Sequence, residues 1–388
     1  MKVLIVHPQM AIYGGAEIVI VKLARYLENH NHKVSILTLT TANHKDYEKL
    51  DIIIPTLEKD RIQYRMRNGS IPTLIEIYQI YGVTKALVRN KIKDYDIVNV
   101  HNFPAIWTIP NHKPVLWMLN EIPDLWHNQH IPGFINPLLN AGRFGDRVIS
   151  KSKRPSVVVA DERMAKLCEH RYQITPHVIP YGIDSDFWGE KVHADRADYQ
   201  FKDSDFIVIA PSMVTPCKKQ SDILDAILAL RQVIPELKVI FAGYKDDNND
   251  YTKQLYKFIN DNSLIENVMF TGMINREQLR ILYNLANAAI FAGRGQGSWL
   301  GGFEALATGT PIIVSPQLTC SELVNSEKLG IVSDNLFESI KELYEHQKDY
   351  KKQVEQQKEY VRQYLTWDNF CETMTECMRV KLEGVYAI

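Results

Sequence analysis

Short apolar runs alternate along the chain with longer stretches in which apolar residues recur at helical spacing. The run Val3–His7 comes first, and the helix predicted to follow it, Ala16–Asn29, carries apolar residues along one face. Buried strands joined by amphipathic helices are typical of a doubly wound parallel sheet. The other strands predicted in the first half are Lys33–Leu39, Ile97–Val100, Val115–Leu119 and Ser156–Ala160.

The alternation begins again after Pro180-Tyr181-Gly182, a turn-rich tripeptide that we interpret as a hinge between domains. The predicted fold is therefore two Rossmann-like α/β domains, residues 1–182 and 183–364, each with a doubly wound parallel sheet. Such sheets bind ligands at their carboxyl edges, so we expect the two domains to face each other across a cleft. In the second half the predicted strands are Phe206–Ala210, Lys238–Ala242, Val268–Thr271, Ala289–Ala292 and Pro311–Ser315, and the predicted helices are Ser221–Val233, Tyr251–Asn260, Arg276–Leu285 and Phe303–Thr308.

The composition is that of an ordinary globular protein. The 388 residues are 45% hydrophobic and carry a formal net charge of −1, which argues against a nucleic-acid-binding protein. Five cysteines without a C-x-x-C pair argue against a disulfide framework or a zinc site and favour a reducing, cytoplasmic compartment. No apolar run approaches the roughly 20 residues of a membrane helix, so the chain is predicted to be soluble.

The charges are distributed unevenly along the chain. Residues 1–190 hold 23 Lys and Arg against 19 Asp and Glu, whereas the remainder holds 22 against 27. This bias leaves an anionic acceptor or a peripheral membrane contact open, although a solvated surface is the commoner origin of such a bias.

Two glycines, Gly14 and Gly15, lie between the first strand and the first helix. Glycine lets the backbone approach a ligand closely, and the start of a helix carries partial positive charge. The turn could therefore bind a diphosphate, although a tight strand–helix turn needs glycine without any ligand. The pattern is not G-x-G-x-x-G, which argues against a nicotinamide cofactor.

Two lysines, Lys218 and Lys219, stand between the first strand and the first helix of the second half. Lysines at such a junction can meet phosphates as point charges. Paired lysines are more often part of a solvated surface, and taken alone this pair is interpreted in that way.

A glycine-rich loop, residues 293–302, precedes the predicted helix Phe303–Thr308. Its many free backbone N–H groups suit an anionic ligand. Glu304, placed in the first turn of that helix, can cap the helix or accept two hydrogen bonds from a vicinal diol such as a ribose. Together with the exit Gly309-Thr310-Pro311 into a buried strand, the loop favours the ligand interpretation.

Taken in order, these motifs resemble the retaining nucleotide-sugar glycosyltransferases of family 4, which have the GT-B architecture of two facing Rossmann-like domains. The likeness covers nearly the whole chain, and its last block is the most specific part. The residues that carry it are Gly14–Glu17, Asn31–Val34, Asp96–Asn102, Val178–Asp184, Lys218-Lys219, Phe241–Gly243, Phe270–Gly272 and Glu304–Ser315.

The resemblance implies an enzyme that transfers a sugar from a nucleotide-diphosphate sugar to an acceptor with retention of the anomeric configuration. It implies neither a metal nor a cofactor, and it leaves the acceptor open as a glycan, a lipid-linked sugar or a small molecule. The diphosphate leaving group would help to deprotonate the acceptor, so that most of the catalysis is electrostatic stabilisation and positioning. Residues 365–388 would form a helix packed on the first domain.

The resemblance also assigns residues to the donor. Glu304 would hold the ribose, and Lys218, with Lys219 beside it, would meet the diphosphate. Gly15, next to Gly14, would present its backbone to the phosphates from the opposite domain. The other implied donor contacts are Gly272 and Met273 at the base, and Gly297, Ser298, Trp299 and Leu300 in the glycine-rich loop.

Three positions depart from the family pattern. Gln296 stands where the family has a glutamate, and Met213 stands where it has an arginine five residues before the lysine. Asn120 stands near the place of a family histidine, so His101 or Glu121 is an alternative for the related role. The candidate catalytic residues are therefore Gln296, Asn120, His101 and Glu121. An amide at position 296 can hydrogen-bond sugar hydroxyls but cannot supply negative charge beside an oxocarbenium ion.

These departures leave two alternatives to an active transferase. One is a catalytically weakened relative that binds a nucleotide sugar or a partner subunit, and the other is a sugar-nucleotide epimerase, which needs no acceptor. The segment Asn120–Arg147 is predicted to form an acceptor-side loop, since its aromatic residues can stack on a sugar or contact a lipid. Filling the core is the commoner role of such residues. They are Trp126, His127, His130 and Phe134.

Overall fold

The computed structural model describes residues 1–10, 14–54, 72–122, 136–192, 194–294 and 300–386. Contacts divide the chain into two compact units, of which the first is Met1–Tyr181 with Trp367–Ile388 and the second is Gly182–Thr366. Each unit is a parallel-sheet α/β domain, as the alternation of strands and helices predicts.

The first unit has seven parallel strands among its described residues. In chain order its elements are β1 (Lys2–Val6), α1 (Gly15–Asn29), β2 (Lys33–Leu37), β3 (Ile52–Ile53), α2 (Pro72–Arg89), β4 (Ile97–His101), β5 (Val115–Met118), α3 (Asn136–Ser152), β6 (Ser156–Val159), α4 (Glu162–Tyr172) and β7 (His177–Val178). The strand order is β3-β2-β1-β4-β5-β6-β7.

Strand β1 is an interior strand of this sheet, where Val3 pairs with Val34 on β2 and with Ile97 on β4. The side chains of β1 after its first residue are fully buried, as expected when helices cover both faces of a parallel sheet. Right-handed crossovers place α1 on one face and α2, α3 and α4 on the other.

The second unit has six parallel strands among its described residues. Its elements are α5 (Ser185–Gly189), β8 (Phe206–Pro211), α6 (Gln220–Leu230), β9 (Leu237–Ala242), α7 (Asp250–Asp261), β10 (Val268–Gly272), α8 (Arg276–Leu285), β11 (Ala288–Phe291), α9 (Leu300–Thr308), β12 (Ile312–Val314), α10 (Ser321–Ser326), β13 (Ile331–Val332), α11 (Leu336–Glu345) and α12 (Gln347–Tyr364). The strand order β10-β9-β8-β11-β12-β13 puts the loops after β8 and β11 side by side at the carboxyl edge.

The last helix, α13 (Trp367–Tyr386), belongs to the first unit. It packs on α1 and β5. Its residues Phe370, Met374 and Met378 are buried. The long charged stretch at the end of the sequence is therefore divided, with α11 and α12 in the second unit and α13 in the first.

Each predicted strand coincides with an observed strand, although its ends differ by a residue or two. The strands β3, β7 and β13 escape the pattern because each has only two residues, too few for an apolar run to be visible. Helix α9 begins at Leu300 rather than at the predicted Phe303.

Candidate functional site

The carboxyl edge of the second sheet gathers several of the residues that the sequence singles out. The loop after β8 carries the two lysines, the loop after β11 leads into α9, and the segment after β10 leads into α8. Parallel strands bring their carboxyl ends to one edge of the sheet, so these segments are neighbours despite their distance in sequence.

Glu304 lies in the second turn of α9, because this helix begins at Leu300. The prediction that it stands in the first turn, where it could cap the helix, is wrong. The two glycines ahead of it are helical, and a Cβ on Gly301 would lie 3.0 Å from the ring of Phe291 on β11. Their small size lets α9 approach the sheet closely, which carries Glu304 to the carboxyl edge.

The surroundings of Glu304 make it an unusual carboxyl group. Burial raises its pKa to about 7, Arg276 at the start of α8 lowers it, and Asp184 raises it further. Arg276 Nη2 in turn donates to Asp184 Oδ2 at 2.7 Å, and its guanidinium stacks on the rings of Phe187 and Trp188. Arg276 thus brings positive charge to the carboxylate, and sequence reasoning missed it because the pair is distant in the chain.

Lys218 ends a short 3-10 turn, Pro216–Lys218, and Lys219 follows it with a left-handed backbone, φ +58°. The Lys219 ammonium lies 3.8 Å from Asp222 Oδ1 on α6. The carbonyl oxygen of Cys217, next to Lys218, accepts a 2.8 Å hydrogen bond from the backbone N–H of Arg294. The lysine segment and the loop after β11 are therefore joined directly.

The segment proposed for the base follows β10. Gly272 has a left-handed φ of +68°, and the Met273 side chain is 70% exposed. Strands β9 and β8 separate β10 from β11 in the sheet, but the chain runs on from Met273 to Arg276, whose charge acts on Glu304. Gln296, Gly297, Ser298 and Trp299 lie outside the described residues, so their assignments stay predictions, whereas Leu300 is the first residue of α9.

The glycine turn of the first unit is closed by its own glutamate. Gly14 precedes α1, and its backbone N–H donates to Glu17 Oε2 at 3.0 Å. The other oxygen, Oε1, lies 3.4 Å from Nε2 of His7, which follows β1. Gly15 is the first residue of α1, so its N–H group belongs to the unpaired start of the helix. Glutamate at the third helical position is the sequence signal for this arrangement.

His101, at the end of β4, is fully buried. Its Nε2 lies 2.9 Å from Asn99 Oδ1 and its Nδ1 lies 3.4 Å from Asn120 Nδ2. Asn120 Oδ1 accepts from the Tyr181 hydroxyl at 2.7 Å, so its Nδ2 donates to the ring, and Nε2 carries the single ring proton. Burial, followed by the charge of His7, lowers the pKa of His101 well below its usual range, in keeping with a neutral ring.

The geometry divides the candidate catalytic residues of this unit. His101 has no exposed surface, whereas Asn120, which its ring contacts, is half-buried. Glu121 follows Asn120 in the sequence. The pKa of the buried Tyr181 is raised mainly by burial, then by the charge of Asp161, and least by the charge of Glu121. The predicted acceptor-side residues Trp126, His127, His130 and Phe134 lie outside the described residues.

Two features are absent from the described residues, a cluster of metal ligands and a membrane-spanning helix. These residues contain no group of three or more His, Cys, Asp or Glu side chains placed to hold a metal ion. None of their helices is both long enough and apolar enough to cross a membrane.

Both halves of the chain match known families. Residues 13–187 match Glycosyltransferase Family 4, and residues 192–363 match Glycosyl transferases group 1. The chain carries two glycosyltransferase domains. Among characterised proteins, these glycosyltransferase domains are similar to the alpha-monoglucosyldiacylglycerol synthase of Streptococcus pneumoniae. The two are 23% identical over 331 residues, which are 78% of this chain and 68% of that protein.

Solved structures share the fold of these glycosyltransferase domains. Sucrose-phosphate synthase from Thermosynechococcus elongatus superposes with a TM-score of 0.81 at 16% identity, covering 99% of each chain. Anabaena HepE in complex with UDP gives a TM-score of 0.74 at 15% identity, covering 98% of this chain and 100% of that one. These likenesses establish the GT-B fold.

Proposed function

We propose that this chain is a retaining, metal-independent glycosyltransferase that takes its sugar from a nucleotide-diphosphate sugar. The observation that carries the proposal is the carboxyl edge of the second sheet, where the charge of Arg276 acts on Glu304 and the lysine segment is hydrogen-bonded to the loop after β11. A carboxylate suits the two hydroxyls of a ribose, and cations suit the diphosphate. The family matches of both halves support the same reading.

In the proposed reaction the acceptor hydroxyl attacks the anomeric carbon on the face from which the diphosphate leaves. The bond between that carbon and the phosphate oxygen breaks, the new glycosidic bond forms, and the hydroxyl proton passes to an oxygen of the leaving diphosphate. Lys218 and Lys219 would stabilise the charge on the diphosphate, which is where electrostatic catalysis is most effective. Gly272 and Met273 would hold the base, and Leu300 the phosphates.

Asn120 is the acceptor-side residue that the contacts support best. The hydroxyl of Tyr181 and the ring of His101 fix its amide from two sides. We propose that His101 is a positioning residue for Asn120, and that Glu121 lies on the acceptor side. Because burial lowers the pKa of His101 well below its usual range, it would not introduce a pH dependence near its ordinary pKa.

A membrane lipid is the acceptor that the surface of α3 favours. Phe144 is 66% exposed and Val148 is 50% exposed, one helical turn apart, and the exposed Lys151 continues the same face. The acid within this stretch, Asp146, is buried and bound by Arg171 Nη2 at 2.7 Å, so its charge does not offset that of Lys151. Exposed apolar and basic residues on one helix suit an anionic bilayer surface. The named activity of the streptococcal relative, synthesis of a glucosyldiacylglycerol, supports this choice.

The donor is tested by a thermal-shift panel of UDP-, GDP- and ADP-sugars, because a ligand that binds the native state raises the melting temperature. The nucleotide sugar identified in this way is then incubated with vesicles that contain diacylglycerol, and glycolipid formation is measured. Release of the nucleoside diphosphate together with a new glycolipid is the expected result. Conversion of the donor without an acceptor would favour the epimerase, and binding without any turnover would favour the weakened relative, to which the uncharged Met213 already points.

The membrane contact is tested without any activity measurement. Vesicles of phosphatidylcholine containing phosphatidylglycerol should retain the wild-type chain on flotation, and vesicles of phosphatidylcholine alone should retain it poorly. The double variant Phe144→Ser, Val148→Ser should bind the phosphatidylglycerol vesicles more weakly by about tenfold or more, because each substitution removes apolar surface that the bilayer would bury. Ile265→Ser, which replaces a 63% exposed apolar residue of the second unit, is the matched control. Equal retention of all three proteins would contradict the assignment of this face.

A further inference from the structure

The donor diphosphate needs more positive charge than this chain offers at the positions where the family resemblance implies cations. Met213 occupies the place where the resemblance implies an arginine, and its side chain is 38% exposed and uncharged. Lys219 is already within 3.8 Å of Asp222. A nucleoside diphosphate carries two to three negative charges, so a further cation near Lys218 is expected if the donor site is functional.

Arg294 is held next to the lysine segment by its backbone. It follows β11, the neighbour of β8 in the sheet, and its N–H donates to the Cys217 carbonyl at 2.8 Å. The adjacent Gly293 is packed against the same segment, since a Cβ there would lie 3.3 Å from the Cys217 oxygen and 3.6 Å from Lys218 Cδ. Glycine at this position therefore allows Arg294 and Lys218 to lie close together.

The side chain of Arg294 has unused hydrogen-bonding capacity. One terminal nitrogen, Nη2, lies 3.9 Å from Asp222 Oδ2, the same carboxylate that Lys219 approaches, and the side chain is 37% exposed. Its Nε is buried, and among the described residues it has no hydrogen-bond partner. Buried donors are normally paired, so this N–H is available to an anionic ligand. Lys218, Lys219 and Arg294 against Asp222 leave a net charge of +2.

We propose that Arg294 is a diphosphate-binding residue, and that it replaces the arginine absent from position 213. Asp222 holds the guanidinium when no donor is bound, and the phosphate oxygens take its place when the donor enters. Arg294 follows β11, whereas position 213 follows β8, and these two strands are adjacent in the sheet. This inference rests on the proposed use of a nucleotide-diphosphate sugar.

The experiment compares diphosphate and nucleoside affinities by calorimetry. UDP, GDP and ADP are titrated into the wild-type chain, and the tightest is used, with its nucleoside, for the variants. Arg294→Gln should weaken diphosphate binding by about tenfold to a hundredfold while nucleoside binding stays unchanged, because a charge-assisted hydrogen bond is lost. Arg231→Gln, at the far end of α6 where its guanidinium bonds the Asn262 carbonyl, is the matched control and should change neither affinity.

The replacement itself is tested by moving the cation back. Met213→Arg, introduced together with Arg294→Gln, should restore most of the diphosphate affinity, and the coupling is measured as a double-mutant cycle. Unchanged diphosphate affinity in Arg294→Gln, or an equal loss of nucleoside affinity, would overturn the assignment. No recovery with Met213→Arg would overturn the replacement. A wild-type chain that binds none of the three diphosphates would overturn the proposed donor, and this inference with it.

Discussion

At the scale of the single residue, Glu304 combines a common side chain with an uncommon environment. Its pKa is raised to about 7, mainly by burial, with Arg276 opposing the rise and Asp184 adding to it. A carboxyl whose folded-state pKa lies above its ordinary value stabilises the free protein at low pH, and this contribution is lost as the pH rises through about 7. The ionised form is the better acceptor for ribose hydroxyls, so donor binding and stability of the free protein should respond to pH in opposite directions.

We therefore expect nucleoside-diphosphate affinity to rise by about tenfold between about pH 6 and about pH 8, as Glu304 ionises. Glu304→Gln should bind more weakly at the upper pH and lose this component of the rise, while the titration of the nucleotide itself remains in both proteins. Calorimetry at several pH values measures the difference. Parallel pH profiles for the two proteins would show that Glu304 does not meet the donor.

Lys218 should matter more to the diphosphate than Lys219. Lys219 is already close to Asp222, so its charge is partly compensated, and it stands at a left-handed backbone position whose change risks the turn itself. Lys218→Ala should weaken nucleoside-diphosphate binding by about tenfold or more, and Lys219→Ala by less. The two affinities are compared with those for the nucleoside alone. A larger loss in Lys219→Ala would shift the assignment by one residue.

At the scale of the element, the two glycines of α9 differ in how much space the sheet leaves for a side chain. A Cβ on Gly301 would meet the Phe291 ring at 3.0 Å, whereas a Cβ on Gly302 would be at ordinary contact distance, 3.7 Å, from Ile312. Alanine favours a helix over glycine by about 1 kcal/mol. Gly302→Ala should therefore raise the free energy of unfolding by up to that amount.

Gly301→Ala should not show this gain in stability. The ring of Phe291 would have to shift to accommodate the new methyl group, at a cost of about 1 kcal/mol or more. The substitution should also weaken donor binding, because Glu304 is carried by the same helix. Chemical denaturation and calorimetry on the two variants check both effects. Equal stabilisation by both substitutions would mean that Phe291 moves freely.

At the scale of the whole molecule, the chain leaves the first unit at Tyr181 and returns to it at Trp367. The returning helix α13 packs on α1 and β5 and carries the buried Met374, so the stability of the first unit depends on this helix. Met374→Ala should lower the free energy of unfolding of this unit by about 2–5 kcal/mol. Val380→Ala, at an exposed position of the same helix, should change it by less than about 0.5 kcal/mol.

Because the chain has two units, a single two-state transition is not assumed. Hydrogen exchange followed by mass spectrometry should locate the increased opening of Met374→Ala in residues of the first unit. Nucleoside-diphosphate affinity, which belongs to the second unit in the proposal, should be unchanged. Increased exchange in the second unit instead would contradict the division of the chain that the contacts indicate.

The sequence by itself determined the α/β class, the two parallel sheets and most strand positions, because buried parallel strands are continuous apolar runs such as that of β1 and β8. It also determined the glycine turns and the block around Glu304, since these motifs are local in the chain. The two-residue strands and the start of α9 were not predictable in this way, because short elements and glycine-containing helices are stabilised by tertiary packing.

Only the tertiary structure decided which distant side chains share an environment. The charge of Arg276 acting on Glu304 and the hydrogen bond from Arg294 to Cys217 couple residues from different strand–helix connections, and no spacing in the sequence reports such pairs. The interior position of His101, and with it its neutral ring, likewise follows from the packing of neighbouring strands. Local pattern reports the periodicity of burial, whereas electrostatics depends on distances between elements, which the order of strands in the sheet determines.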